Sequence, residues 1–292
     1  LIQKIEYMNV SLFGDRLNFN IGELRNISFG HGYLVNNYGN NFNYPIKRDA
    51  GFNINIKNNN NSIALMVFGS SIRDISNKGG LIGAHINFLI SSSFPIRMGI
   101  GYISDLNQLV NNENILSSLS KRQINGFEFD LEAPILDRID LIGEFSTLKF
   151  PETRYYHRTD DSQFTNDKKS RDGSWGILFP AIKYSNKNNK IQIGLNYNSS
   201  IHIPHFFNQS YDFEKIRYRE YDVLDIEDLF SSESEILENY QTINDSLIVL
   251  LPKDLYSMIN GYENIYQTYG ISLSSFFEFN KNTNLSLDYS NF

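Results

Sequence analysis

The chain has 292 residues, enough for one large domain or two small ones, and its 26 Lys and Arg against 33 Asp and Glu leave a net charge of −7. That acidic balance, with no basic arm or Lys/Arg cluster, excludes nucleic acid as a partner. Cysteine is absent, which excludes disulfides, thiolate metal sites and cysteine nucleophiles, and no run approaches the roughly 18 apolar residues of a membrane helix.

Mean hydropathy is −0.35, a soluble value on its face. A membrane β-barrel escapes that test, because only alternate residues of each strand face lipid. The 37 asparagines supply turns and polar strand faces without adding charge. The chain starts at Leu1 with no Met, basic stretch or apolar leader, so it reads as a mature form or a fragment.

Period-2 patterning predicts about thirteen strands. The early ones are weak, at roughly 2–12, 16–22, 26–35, 50–57 and 62–70. Leu81–Ser91 is the clearest: Ile82, Ala84, Ile86, Phe88 and Ile90 take one face and Gly83, His85 and Asn87 the other. In Ile96–Ile103, Ile96, Met98, Ile100 and Tyr102 oppose Arg97, Gly99 and Gly101. Phe127, Phe129, Leu131 and Ala133 oppose Glu128, Asp130 and Glu132; Ile139, Leu141 and Phe145 oppose Asp140, Glu144 and Ser146. After a weak strand near 173–184, Ile191, Ile193, Leu195 and Tyr197 oppose Gln192, Gly194, Asn196 and Asn198. Strands near 267–279 and 285–290 complete the series.

The connections follow an order. Gly22–Arg25, Asn58–Asn61, Ser91–Pro95, Pro134–Arg138, Ser185–Asn189 and Asn280–Thr283 are short and rich in turn residues. Longer stretches lie between them, at about 36–49, 71–80, 104–122, 150–172 and 199–266. A soluble sandwich has no reason to place every long loop at one end, whereas an outer-membrane barrel has tight turns at one rim and long loops at the other. The fold expected is therefore all-β: a single antiparallel up-and-down transmembrane β-barrel over 1–292, with 199–266 as a long external lobe. Strand lengths near nine to eleven residues suit a tilted crossing of the hydrocarbon layer. A barrel of thirteen or more strands is too wide for side chains to fill, so the apolar face is expected outside and the polar face inside. Phe94, Phe150, Tyr184, Tyr197 and Phe279, near strand ends, are candidates for interfacial girdles.

The run from Leu17 to Leu34, with its Gly22 turn and Phe29-Gly-His-Gly-Tyr-Leu34, resembles a hairpin of alginate-export and related porins. The architecture over nearly the whole chain resembles bacterial outer-membrane porin-like barrels. The resemblance implies a fold and a location in the outer membrane of a Gram-negative bacterium, not a cargo. Phe292 departs from the pattern, since it falls out of phase with Leu285, Leu287 and Tyr289. With the odd strand count, this predicts an incomplete barrel whose whole would have roughly 14–18 strands.

Function follows from the inward face. Arg97, Glu128, Asp130, Glu132, Asp140, Glu144, His85 and Asn87 are the expected pore-lining residues. Carboxylates outnumber the cation, which favours cations or neutral solutes in a porin-like channel for ions or small polar solutes. The same charges suit cross-strand pairing that satisfies a wet interior. The other reading is a barrel that anchors external loops for surface binding or assembly. Ser232-x-x-Glu235 marks a short helix around 233–240, Pro252 at a start and Gly261 after an end frame another around 252–259, and Arg154–Arg158 is an aromatic and basic loop run suited to glycans or to loop packing. Membrane lipid, small polar solutes and glycans are the expected partners, and the sequence leaves oligomeric state open. No catalytic, cofactor or metal site is expected. His202 and His205 near Asp212, and Ser28 near His31, fall on opposite faces of an extended chain. Gly30-x-Gly32 and Gly99-x-Gly101 have no following helix and read as bends or as room for bulky neighbours.

Overall fold

The computed structural model describes residues 7–41, 49–91, 93, 95–109, 122–151, 153–158, 164–169, 174–186, 188–199, 202–222, 240–243, 246–253, 268–280 and 283–291. One antiparallel sheet of twelve strands dominates. Its strands are β1 (Tyr7–Leu12), β2 (Leu17–Gly22), β3 (Gly51–Lys57), β4 (Ile63–Gly69), β5 (Leu81–Leu89) and β6 (Arg97–Asp105). They continue as β7 (Ile124–Leu136), β8 (Ile139–Lys149), β9 (Ser174–Ser185), β10 (Asn189–Asn198), β11 (Thr268–Asn280) and β12 (Thr283–Asn291). Every strand pairs with its neighbours in this order. Among the described residues β1 pairs only with β2 and β12 only with β11, so the sheet keeps two edges.

The thirteenth expected strand, 26–35, is not one. Asn26, Gly30, Gly32 and Asn37 all take positive φ, at 56°, 46°, 86° and 52°, which no extended strand tolerates. The segment forms a closed loop instead, tied by Ile27 N–H to Tyr38 O at 2.9 Å and Tyr38 N–H to Ile27 O at 2.8 Å. Gly22–Arg25 is therefore not a short turn but the start of one long connection, 23–50. The hairpin likeness over Leu17–Leu34 ends at Gly22 for the same reason. With this correction the alternation is complete. Residues 13–16, 58–62, 90–96, 137–138, 186–188 and 281–282 are short, and 23–50, 70–80, 106–123, 150–173 and 199–267 are long. Because successive strands are antiparallel, all short connections share one rim and all long ones the other.

The exposed face of the sheet is the apolar one. Ile100, Phe127, Ile182, Ile193, Leu195, Ile271 and Leu273 are 40–54% exposed, while Glu128, Asp130, Glu144 and Asn196 on the alternate parity are at most 4% exposed. In water, half-exposing an Ile or Leu forfeits roughly 1 kcal/mol of the about 1.5–3 kcal/mol that burial gives. Toward the long-connection rim the outward positions turn aromatic. Tyr102 faces Phe127 across the β6–β7 pair, Tyr197 faces Tyr269 across β10–β11, and the Trp175 ring lies 5.3 Å from that of Tyr197. Phe150 does not join them. It is buried inside, 5.7 Å from the Phe206 ring.

The inner face is filled at its long-connection end by chain, not by strand side chains alone. Leu24, Ile27, Phe29, Leu34, Val35 and Tyr38 from the first long connection, and Phe206, Phe207 and Tyr211 from the last, pack on Phe68, Leu81, Ile103, Ile124 and Leu148 of the wall. The two connections join through a short parallel pairing of Val35–Asn36 with Phe207–Asn208. The last long connection also carries an antiparallel three-stranded sheet, Ile216–Asp222, Ser246–Pro252 and Tyr240–Ile243, which the sequence reading did not anticipate. Pro252 closes one of these strands; the expected helices over 233–240 and 252–259 fall mostly outside the described residues. Arg154–Arg158 lies in a strand, Thr153–Arg158, paired with Phe164–Lys169.

Candidate functional site in the sheet interior

Register builds the interior in lateral rows. His85 on β5 stands opposite Gly101 on β6, which stands opposite Glu128 on β7, which stands opposite Ser146 on β8. One row nearer the short turns run Asn87, Gly99, Asp130 and Glu144. The glycines on β6 remove the side chain that would separate β5 from β7. A Cβ at Gly101 would lie 2.6 Å from Glu128 Cγ, and one at Gly99 only 1.9 Å from Asp130 Oδ2. His85 and the β7 carboxylates therefore meet across an intervening strand. His85 Nε2 is 2.8 Å from Asp130 Oδ2 and 3.4 Å from Glu128 Oε1. Asn87 Nδ2 lies 3.3 Å from His85 Nδ1 on the ring's far side.

Glu144 does different work. Its Oε2 accepts the His31 N–H at 2.7 Å, and its Oε1 accepts those of Tyr33 and Leu34 at 3.1 and 3.2 Å. One wall carboxylate thus gathers three consecutive-turn amides of the inner loop, as an anion does in a backbone nest. His31 Nε2–H donates to Leu131 O at 3.0 Å and the Tyr33 hydroxyl donates to Asn198 Oδ1, so the loop is held from β7, β8 and β10. Burial lowers the His31 pKa and raises that of Tyr33.

The partner loop is fixed just as firmly. His202 is buried between Ser146 Oγ at 3.0 Å and Ser174 Oγ at 3.3 Å, and burial pushes its imidazole down to about 3. His205 Nδ1–H donates to Gly32 O at 2.7 Å. Tyr38 donates to Asp212 at 2.6 Å, Tyr211 to Asp105 at 2.8 Å, and Lys253 Nζ to Phe206 O at 2.9 Å. Burial raises the pKa of both tyrosines; for Lys215 burial works the other way, but Asp212 and Asp105 outweigh it and hold the ammonium above its ordinary value. His202, His205 and Asp212 are thus each engaged elsewhere and do not converge. Ser28 is likewise occupied, accepting the Asn37 N–H at 2.8 Å.

Toward the short turns the interior opens. Glu132, Asp140 and Lys183 keep 21–26% of their side-chain surface, and Lys183 pairs with Glu132 and, at 3.8 Å, with Asp140. Arg97 stands opposite Glu132 in register and is exposed at this rim. Of the eight residues singled out by parity, His85, Glu128, Asp130 and Glu144 form the buried cluster, half-buried Asn87 shares the row of Asp130 and Glu144, and Glu132, Asp140 and Arg97 lie nearer the open end. Lys183 was missed. A bulge between Leu178 and Ala181 shifts the parity of β9, so simple alternation does not place it inside.

No family model matches this sequence, and none of the curated proteins does. Among solved structures, the high-pH structure of OprB from Pseudomonas putida is similar to this chain, with a TM-score of 0.39 and 11% identity over 93% of the chain. The chain spans 63% of that protein's length. The functional reading therefore rests on the geometry of the chain's own residues.

Proposed function

We propose that the chain forms the wall of a β-barrel in the outer membrane of a Gram-negative bacterium and acts as a porin-like conduit for ions or small polar solutes. In this reading the inner loop at 24–38 narrows the passage. The observation that carries it is the inverted distribution of polarity: Ile193 and Leu195 face out at 54% and 51% exposure while Glu128 and Asn196 face in at 0% and 2%. Hydrocarbon is the solvent in which that arrangement is stable. The row of outward aromatics near one rim suits a membrane interface. Over the whole inward set, Glu128, Asp130, Glu132, Asp140 and Glu144 outnumber Lys183 and Arg97, which supports a preference for cations. A transport role in place of a catalytic one belongs to the same proposal.

The test is reconstitution. The protein is expected to need detergent, to insert into lipid vesicles, and to give small cation-selective steps in planar bilayers. Recovery as a monodisperse protein without detergent would refute the membrane reading. Insertion with no conductance would move the function to the second reading, a barrel that anchors external loops for surface binding. That reading is favoured by one observation, the dense packing of Phe29, Leu34, Phe206, Phe207 and Tyr211 across the interior.

A further inference from the structure

We propose that His85, Glu128 and Asp130 form a binding site for one divalent first-row metal ion, an assignment independent of the channel reading. The three donate atoms that all lie within 4.8 Å of one another, and all three residues are buried. Two donor atoms on one ion at bond lengths of roughly 2.0–2.2 Å stand about 2.8–3.6 Å apart. The His85 Nε2 separations of 2.8 Å to Asp130 and 3.4 Å to Glu128 fall in that range.

A second observation points to a ligand. Glu128 is 0% exposed, yet neither of its carboxylate oxygens accepts a hydrogen bond. A buried carboxylate without donors is costly and rare. Among the described residues no Lys or Arg pairs with Glu128 or Asp130; Lys183 is committed to Glu132 and Asp140. Glu144 lies beside Glu128 while accepting from His31, Tyr33 and Leu34, so a single proton shared between the two carboxyls is the alternative to a metal ion here. A dication supplies the charge that this pocket lacks. The donor set of one imidazole nitrogen and two carboxylates, without sulfur, suits Zn²⁺ or Mn²⁺ better than Ca²⁺, which takes 6–8 oxygens. Asn87 lies 3.3 Å from the opposite ring nitrogen; metal on Nε2 leaves the proton on Nδ1, so Asn87 would orient the imidazole with its amide turned to present Oδ1 to Nδ1–H. Gly99 and Gly101 give the site its room, since any side chain there would occupy the space of the two carboxylates.

The experiment is a titration of the full chain in detergent, stripped with EDTA, using Zn²⁺ by calorimetry and Co²⁺ by visible absorption. One equivalent is expected to bind. Glu128→Gln and Asp130→Asn should each weaken Zn²⁺ binding beyond the about 10–100-fold that loss of an outer partner such as Asn87 brings. His85→Gln should alter the Co²⁺ spectrum as a nitrogen donor is lost. Glu128→Gln removes a buried charge and keeps the shape, so its metal-free melting temperature should equal or exceed that of the parent, while the Zn²⁺-induced rise disappears. Failure of the folded parent chain to take up Zn²⁺, Mn²⁺ or Co²⁺ would overturn the assignment. So would unchanged affinity in Glu128→Gln and Asp130→Asn.

Discussion

Replacing Glu144 by alanine should release the inner loop from the wall while leaving the wall itself assembled. The side chain accepts from three loop amides, those of His31, Tyr33 and Leu34, at 2.7–3.2 Å, and it is 2% exposed. A buried N–H left without an acceptor costs about 1–3 kcal/mol. Taking about 1–1.4 kcal/mol for each amide, the low end of that range, docking of the loop weakens by roughly 3–4 kcal/mol, or about two to three powers of ten in the docked-to-undocked ratio. Removing one of several crowded carboxylates relieves repulsion within the wall, but that gain is shared by docked and undocked states and largely cancels. Amide hydrogen exchange isolates the docking step. Protection at His31, Tyr33 and Leu34 should fall by about 10²–10³-fold in Glu144→Ala, while amides of β5 to β10 keep theirs. Bilayer conductance should rise in parallel. Protection at those three amides unchanged within a factor of three would refute the reasoning.

Two further outcomes are expected. His202 is held neutral by burial, with its pKa down at about 3 against an ordinary 6.5. The undocked loop therefore binds a proton that the docked loop refuses, so docking of 202–211 is complete above about pH 6.5 and weakens by roughly 1.4 kcal/mol per unit below it. Exchange or limited proteolysis of this segment across pH 7 to 5 reads the effect, and His202→Gln should flatten it; an equally steep profile in that variant would rule the imidazole out. Leu195→Arg places a charge near the middle of β10 on the outward face. In lipid this costs about 2–4 kcal/mol in the folded barrel, whereas on a water-facing surface it costs no more than about 0.5 kcal/mol; folding titrations in vesicles separate the two.

Much of the wall was legible in the sequence because a half-apolar strand must alternate. Residues 82–88 and 191–198 display that alternation. Legibility failed where backbone geometry overrode it. Ile27, Phe29 and Leu34 look like strand residues, but the left-handed turns at Gly30 and Gly32 fold them into a loop whose apolar side chains face the wall. The bulge in β9 hid Lys183 by reversing parity within one strand. The His85, Glu128 and Asp130 cluster was half legible. Parity put all three on one face, but their meeting depends on strand register and on the glycine pair of β6, which bring together residues 43 and 45 positions apart. A lone histidine and a pair of acids give no spacing signal at such a separation.

The position of the inner loop in the chain has a kinetic corollary. It lies between β2 and β3, yet its anchors are Leu131, Glu144 and Asn198, between 100 and 165 residues downstream. Nothing exists for it to grip when it is first synthesised. The neighbour-to-neighbour hairpins of the sheet close over short spans and are free to form early, so insertion of the loop is a late event that waits for β10. A chain truncated before that strand would leave Phe29 and Leu34 unsheltered when its hairpins form, and it should be a preferred client of holding chaperones.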